Sequence, residues 1–440
     1  MSKLILLAAL LIANDGFCDN PTAAASKKTN TIQENPLMEC VNSKLFFKAC
    51  HEGSFAEVKN LLAEGVDVHR LSASGAYAIN VVLAGLANTE EKKIDIIKLL
   101  IKHGADVNCK NKVGNTPLFI AVVMGMAKVV EFLIKSGADV NCLAGPGIAP
   151  IHNAVANGNI KIIKLLVENG AKVNIPYPEI DSTPLQAAAH LCSGAIKILV
   201  ENGADPNHRG KLNQTPLHNA ARSGNLDSIK ILLDLGADIN AVESTEQLTP
   251  LHITLYLSKN KCSKLLIERN ADVNKKDVTK RTALHIAASD GDLEMVKLLI
   301  SKGGNVKNID KDGFTPLFAA ADKSRADVVD YLLTFEKEKN PRSKQGVTLL
   351  HLAAFSNNQK VVKRILDSGV GVDISDNQFL VTPLHMACQK GHIEMVKLLI
   401  SRGADPKIRS INGVDAEAMA AHFNNTEILE YLSLNSPTTE

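Results

Sequence analysis

Six of the thirteen histidines recur in one phase, at positions 152, 218, 252, 285, 351 and 385, separated by 33 or 34 residues or by twice 33. Cys109 and Cys142 are likewise 33 apart, and His190 lies two residues from Cys192. Imidazole and thiolate are side chains that zinc takes as ligands, so a periodic set of them raises metal binding first. The spacing argues against it. If each period is one layer of packed helices, equivalent residues of successive layers lie about 10 Å apart, whereas zinc needs its nitrogen ligands within about 2 Å. The same separation puts Cys109 and Cys142 out of reach of a disulfide. The eight cysteines contain no Cys-x-x-Cys pair, and free thiols are expected. The histidines are then expected to tie neighbouring layers by hydrogen bonds, and the His190/Cys192 pair carries no metal assignment. No phosphate-binding glycine loop, His-Glu-x-x-His helix or nucleophile motif appears. No catalytic, cofactor-binding or metal-binding residue is assigned, and the protein is expected not to be an enzyme.

The layers that position these residues are written in the same period. Thr116-Pro117-Leu118-Phe119 returns as Thr183-Pro184-Leu185-Gln186, Thr215-Pro216-Leu217-His218, Thr249-Pro250-Leu251-His252, Thr282-Ala283-Leu284-His285, Thr315-Pro316-Leu317-Phe318, Thr348-Leu349-Leu350-His351 and Thr382-Pro383-Leu384-His385, with Ala149-Pro150-Ile151-His152 as a weaker copy. A fixed period near 33 is the signature of stacked repeats. Thr can cap a helix by accepting backbone N–H bonds, and Pro at the first helical position loses no needed donor. Leu118, Ala121 and Val122 then face the stack, and Ala pairs such as Ala220-Ala221 and Ala287-Ala288 let first helices approach closely. A second amphipathic helix follows, as in Met295-Val296-Lys297-Leu298-Leu299-Ile300. Glycines such as Gly137 and Gly303, and Asn270 in one copy, end it in a left-handed cap.

Length alone suggests two to four domains for 440 residues, but units that touch only their neighbours form one stack. Apolar content of 45 % and a net charge of +2 describe a folded chain with no global pull toward nucleic acid or membranes. The N-terminus breaks the pattern. Met1-Ser2-Lys3 precedes the apolar run Leu4 to Ala13, which is too short to span a bilayer and suits a signal-peptide core. A signal peptide is expected over 1–18, with cleavage at Cys18 or at Ala25, then a polar linker over 19–40.

This pattern resembles the ankyrin repeat family, whose consensus carries Thr-Pro-Leu-His at a helix start and Gly-Ala-Asp-Val-Asn after the second helix. The resemblance implies an all-α solenoid of stacked helix-turn-helix units with β-hairpin fingers. About twelve repeats fill residues 41–434, the first and last acting as caps, before a tail at 435–440. The first repeat is expected to start near Ser43, and the second to be lengthened between its helices by Asn88 to Lys92. At Phe335 to Pro341 the capping glycine and Ala-Asp-Val-Asn are missing, so a prolonged helix or an irregular loop is expected there.

The family binds proteins through a concave surface of fingers and first helices. Function is therefore expected to be that of a noncatalytic scaffold for a protein partner. The alternative is a targeting subunit of an enzyme or toxin complex. No cofactor, nucleic acid or membrane insertion after signal cleavage is implied. The chain is expected to be a monomer, secreted or periplasmic, or cytoplasmic if the leader does not function. Candidate partner-binding residues are Tyr177, Arg209, Lys276, Arg281, Phe314 and Phe379, with Phe314 and Phe379 read as neighbouring finger tips. Lys275, Lys276, Lys280 and Arg281 form the densest basic tip, flanked by Asp277, while Glu243 with Glu246 reads as an acidic one.

Overall fold

A computed structural model describes residues 36–435 apart from 88, 146, 179, 344, 345 and 377. The expected leader, the linker up to residue 35 and the tail beyond Asn435 lie outside the described residues. The chain divides into two units, the first ending at Lys211 and the second starting at Leu212. In the first unit the helices pair as Pro36–Glu52 with Phe55–Ala63, Ala78–Ala84 with Glu90–Lys102, Pro117–Val123 with Ala127–Lys135, Pro150–Ala156 with Ile160–Glu168, and Pro184–Leu191 with Ser193–Glu201. The second unit holds Pro216–Ser223 with Leu226–Asp234, Pro250–Tyr256 with Asn260–Glu268, Ala283–Asp290 with Leu293–Ser301, and Pro316–Asp322 with Ala326–Leu332. It continues with Leu349–Phe355 and Gln359–Asp367, Pro383–Lys390 and Ile393–Ser401, and Ala416–His422 and Thr426–Asn435. Twelve pairs are thus described, the number that the period implies.

Local chemistry explains why each pair forms. The Thr116 hydroxyl accepts from the Phe119 N–H at 3.2 Å and Pro117 opens the helix. Within each unit, first helices stack on first helices and second on second. Leu118, Ala121 and Val122 are buried as expected, as are Leu284, Ala287 and Ala288 in the second unit. Asn270 takes a φ of 64°, substituting for glycine at its cap.

The departures have physical causes. The first helix begins at Pro36, inside the expected linker and seven residues before Ser43, because proline is preorganised for a first helical turn. The extra residues near Thr89 do not enlarge a loop. Most of them become helix, so Glu90–Lys102 has 13 residues where Ala127–Lys135 has 9. The added turn carries Glu90 over the next pair, where its carboxylate accepts from the N–H groups of Lys128 and Val129 at 2.7 and 3.1 Å. That caps a helix whose own N-cap, Met126, has no side-chain acceptor, and Glu91 adds an ion pair to Lys128.

Lys93, on the same helix, is buried, and its ammonium donates to the carbonyls of Val82, Leu83 and Gly85 at 2.9, 3.0 and 2.8 Å. Those carbonyls end the helix Ala78–Ala84, where a cation is favoured. Burial pushes the Lys93 pKa down. Replacing Lys93 by Met is expected to cost about 2 kcal/mol of stability by leaving buried carbonyls without a donor. A denaturation midpoint unchanged in that variant would contradict this role.

The stretch from Phe335 to Pro341 is an irregular loop. A 3₁₀ turn over Leu333–Phe335 ends the helix, and Glu336 is extended. The next helix lacks proline at its first position, and the freed Leu349 N–H donates to the Pro341 carbonyl at 3.1 Å. The Asn340 side chain takes the Leu350 N–H at 3.1 Å. The rewritten loop thus supplies the acceptors that a missing Pro-type helix start requires.

Candidate partner-binding surface

The periodic histidines are scaffold. Their Nδ1 atoms accept from the N–H at their own helix start, from Ala149 to His152 at 3.1 Å in the first unit, and from Thr282 to His285 at 3.1 Å in the second. Because Nδ1 faces an N–H, the proton sits on Nε2. From there His152 donates to the Ile175 carbonyl at 2.9 Å, and His285, His351 and His385 donate to Phe314, Val381 and Val414 at 3.0 Å each. Each of these bonds reaches the finger of the following repeat. In these four both ring nitrogens are engaged, and among the described residues no three His, Cys, Asp or Glu side chains converge as metal ligands. Burial pushes the pKa of His152, His252, His285, His351 and His385 down.

A second ladder uses asparagine. In the first unit Asn108, Asn141 and Asn174 donate to the carbonyls of Gly137, Gly170 and Gly203 at 3.1, 3.0 and 2.8 Å. The Asn108 and Asn141 carbonyl oxygens accept from Asp139 and Lys172, each at 2.8 Å. In the second unit Asn274 bonds Gly303 and Asn305 in the same way. One repeat later both members of the pair change. Lys307 stands in the asparagine phase and Glu336 in the glycine phase, and the two form an ion pair. The irregular loop therefore keeps its tie to the preceding repeat by exchanging a hydrogen bond for a charge pair.

The fingers are tight turns. Among the described residues there is no strand, only isolated bridges such as Ala144 with Ile148 and Arg342 with Thr348. In several fingers of the second unit one carboxylate closes the turn. The buried Glu243 carboxylate accepts from the N–H groups of Thr245, Glu246 and Leu248. Asp277 accepts from the Thr279 and Arg281 N–H groups, and Asp310 from those of Asp312 and Phe314, all at 2.8 to 2.9 Å. Burial alone would raise the Glu243 and Asp277 pKa values, but the donors outweigh it and hold both below the usual carboxylate range. Glu243 therefore does not contribute to an acidic tip.

A family profile described as ankyrin repeats (3 copies) matches residues 45–144, 142–210, 193–277, 256–345, 284–378 and 350–438. The chain belongs to the ankyrin repeat family. Among relatives, the palmitoyltransferase Hip14 of Drosophila melanogaster is 38% identical over 58 residues, 13% of this chain and 9% of that protein. The putative ankyrin repeat protein FPV219 of fowlpox virus (strain NVSL) is 36% identical over 80 residues, 17% of this chain and 18% of that one. The human transient receptor potential cation channel subfamily A member 1 is 43% identical over 51 residues, 12% and 5% of the two chains. The likeness spans less than a fifth of each of these relatives. Ankyrin repeats are protein–protein interaction domains. Among the described residues no helix is long and apolar enough to cross a membrane.

The ankyrin fold distributes the candidate residues over both units. Tyr177 and Arg209 lie in the first unit. Tyr177 is half-buried, its ring edge-on to His152 with centroids 5.6 Å apart, and Arg209 is exposed. In the second unit Lys276 is exposed, and Arg281 is half-exposed and 3.8 Å from the Asp310 carboxylate. Phe314 is half-buried, stacked on Phe318 at 5.7 Å. Phe379 is half-exposed to solvent at 50%. Phe314 and Phe379 are not on neighbouring fingers, because the turn from Arg342 to Thr348 lies between theirs.

Among the exposed side chains that escape the sequence reading are Tyr256, Val278, Leu380 and Ile411. Tyr256 ends a first helix and donates its hydroxyl to Asp277 at 2.7 Å, and burial, then that bond, pushes its pKa up. Aligning the ankyrin repeats exposes it, since Ser289 and Asp322 hold the same phase. Leu380 has a φ of 53° at a finger position where Gly313 and Gly413 also take positive φ. A leucine there is strained. Replacing Leu380 by Gly is expected to raise stability by about 0.5 kcal/mol, the relief of strain exceeding the glycine entropy term. A lower denaturation midpoint would show that leucine is not strained at that tip.

Proposed function

We propose that this ankyrin array is a noncatalytic, monomeric scaffold that binds a protein partner through its fingers and the exposed ends of its first helices, and that it is exported. The observation that carries the reading is the division of labour among side chains. The periodic His, Asn and finger carboxylates bond backbone of their own or the next repeat. The exposed tips, by contrast, differ from finger to finger, as Thr245, Val278 and Ile411 do at one phase. Rigid presentation of variable side chains is what a partner-selecting surface needs. The basic start and apolar run Leu4 to Ala13 support export.

The test is capture of a specific partner by the full array and by single variants Tyr177→Ser, Arg209→Glu, Lys276→Glu, Arg281→Glu, Phe314→Ser and Phe379→Ser. At least one finger variant is expected to lose capture with an unchanged denaturation midpoint. Capture indifferent to all six would defeat the surface assigned. Export is checked separately by the mass of the mature chain. An intact leader on protein found in the cytosol would remove that part and leave the scaffold.

A further inference from the structure

The finger face of the second unit sorts its charges. Its carboxylates Glu243, Asp277, Asp310 and Asp376 are buried, and each accepts backbone N–H bonds of its own turn. They answer the amide dipoles of their own turns, and of the four only Asp310 is also paired with a cation among the described residues, Arg281 at 3.8 Å. On the outside of the same fingers stand Lys275, Lys276, Lys280, Lys311, Arg342 and Arg409, all exposed. Against them, the exposed acids among the described finger residues of this unit are Glu246 and Asp312. A chain of nearly balanced charge therefore presents a basic finger face.

The same face carries apolar side chains in water. Val278 is 54% exposed, Phe379 50%, Leu380 45% and Ile411 61%. Phe379 and Ile411 belong to adjacent tips, linked by the Ile411 N–H donating to the Phe379 carbonyl at 2.8 Å. Leu380 adjoins Phe379 in sequence and holds its place at positive φ. An exposed leucine kept in a strained conformation points to a use outside folding.

We infer that the finger face of the second unit docks an acidic protein segment that carries aromatic or aliphatic anchors. The inference rests on reading the fingers as the partner surface and names the chemistry of what they take. Carboxylates of the segment meet the lysine and arginine side chains, which steer and orient it. Its apolar residues cover Phe379, Leu380 and Ile411, removing them from water.

The test uses the full chain and a fluorescein-labelled peptide of repeated Asp-Leu-Glu-Phe units. Comparison probes replace both acids by Lys, replace Leu and Phe by Ser, or consist of an oligothymidylate. The acidic apolar peptide is expected to bind saturably and to weaken as salt rises. The variant Lys276→Glu/Lys280→Glu/Arg409→Glu is expected to weaken it at least about tenfold, and Phe379→Ser/Ile411→Ser to weaken it comparably, with unfolding midpoints held. The inference is overturned by any of four results. These are no saturable binding of the acidic peptide, equal binding of the lysine or serine counterpart, tighter binding of the oligothymidylate, or full binding by the charge-reversed variant. Should that happen while first-unit variants at Tyr177 or Arg209 abolish partner capture, the scaffold reading stands and this one fails.

Discussion

Lowering the pH from 7.5 to 5.5 is expected to reduce the stability of the second unit more than that of the first. His252, His285, His351 and His385 belong to the second unit and His152 to the first, all buried with pKa values pushed down by burial. Nearby charges modify but do not reverse this. Asp277 and Asp310 pull the pKa of His252 and His285 up, while Arg281 and Lys276 pull His285 down. In the unfolded chain each imidazole takes up its proton near its ordinary pKa of about 6.5. In the folded chain Nδ1 already accepts a backbone N–H, so protonation would turn an acceptor into a donor facing a donor. The unfolded state therefore binds more protons below about pH 6.5, and folding stability falls as pH drops through that value toward the folded pKa values. Above it the full stability is present. Each histidine adds a slope of up to about 1.4 kcal/mol per pH unit, and the four together up to about 5.5. Hydrogen exchange at the two pH values checks this. Earlier loss of protection in the second unit is expected, and equal protection throughout would show that the histidines are not held neutral.

The second large effect is expected from Gly85→Ala. Gly85 ends the helix Ala78–Ala84 against the first helix, and a Cβ added there would lie 2.2 Å from the His51 carbonyl oxygen and 2.8 Å from its carbon. The neighbouring Leu86 N–H donates to that same oxygen at 2.6 Å. The obstacle is backbone, so no rotamer change relieves it, and a loss of about 3 kcal/mol is expected. Since each repeat leans only on its neighbours, the damage should concentrate on the pair Pro36–Glu52 and Phe55–Ala63. Limited proteolysis is expected to clip there first. A variant with wild-type unfolding and cleavage would mean that the crossing has room for a methyl group.

Gly85 marks a boundary of what the chain reveals before it folds. The period shows the repeats, their caps and the structural part of His285, because a recurring Thr-Pro-Leu-His maps directly onto capping and packing. Close approach at one crossing leaves no periodic trace. Charge in the fingers is opaque for a different reason. Lys280 and Asp277 look alike as turn residues in one dimension, but the turn aims one carboxylate inward at its own amides and leaves the lysine outside. The lengthening near Thr89 was readable as extra residues, whereas its conversion into a helical turn depends on Glu90 meeting the free amides of Lys128 and Val129. Leu380 and Ile411 were missed because an exposed apolar residue resembles a core residue until its direction is known. The pairing of Lys307 with Glu336 was within reach, since each departs from its repeat phase and the two departures face one another.

The central claim is that scaffold and recognition reside in different side chains of the same fingers. The most direct test compares His351→Leu with Lys276→Glu/Lys280→Glu/Arg409→Glu, measuring denaturation and binding of the acidic apolar peptide on the same preparations. A lowered midpoint is expected for the histidine variant, with binding retained wherever the chain remains folded. For the charge-reversed variant an unchanged midpoint is expected, with binding weakened at least about tenfold. A charge-reversed chain that unfolds early, or that binds as well as the wild type, would contradict the claim.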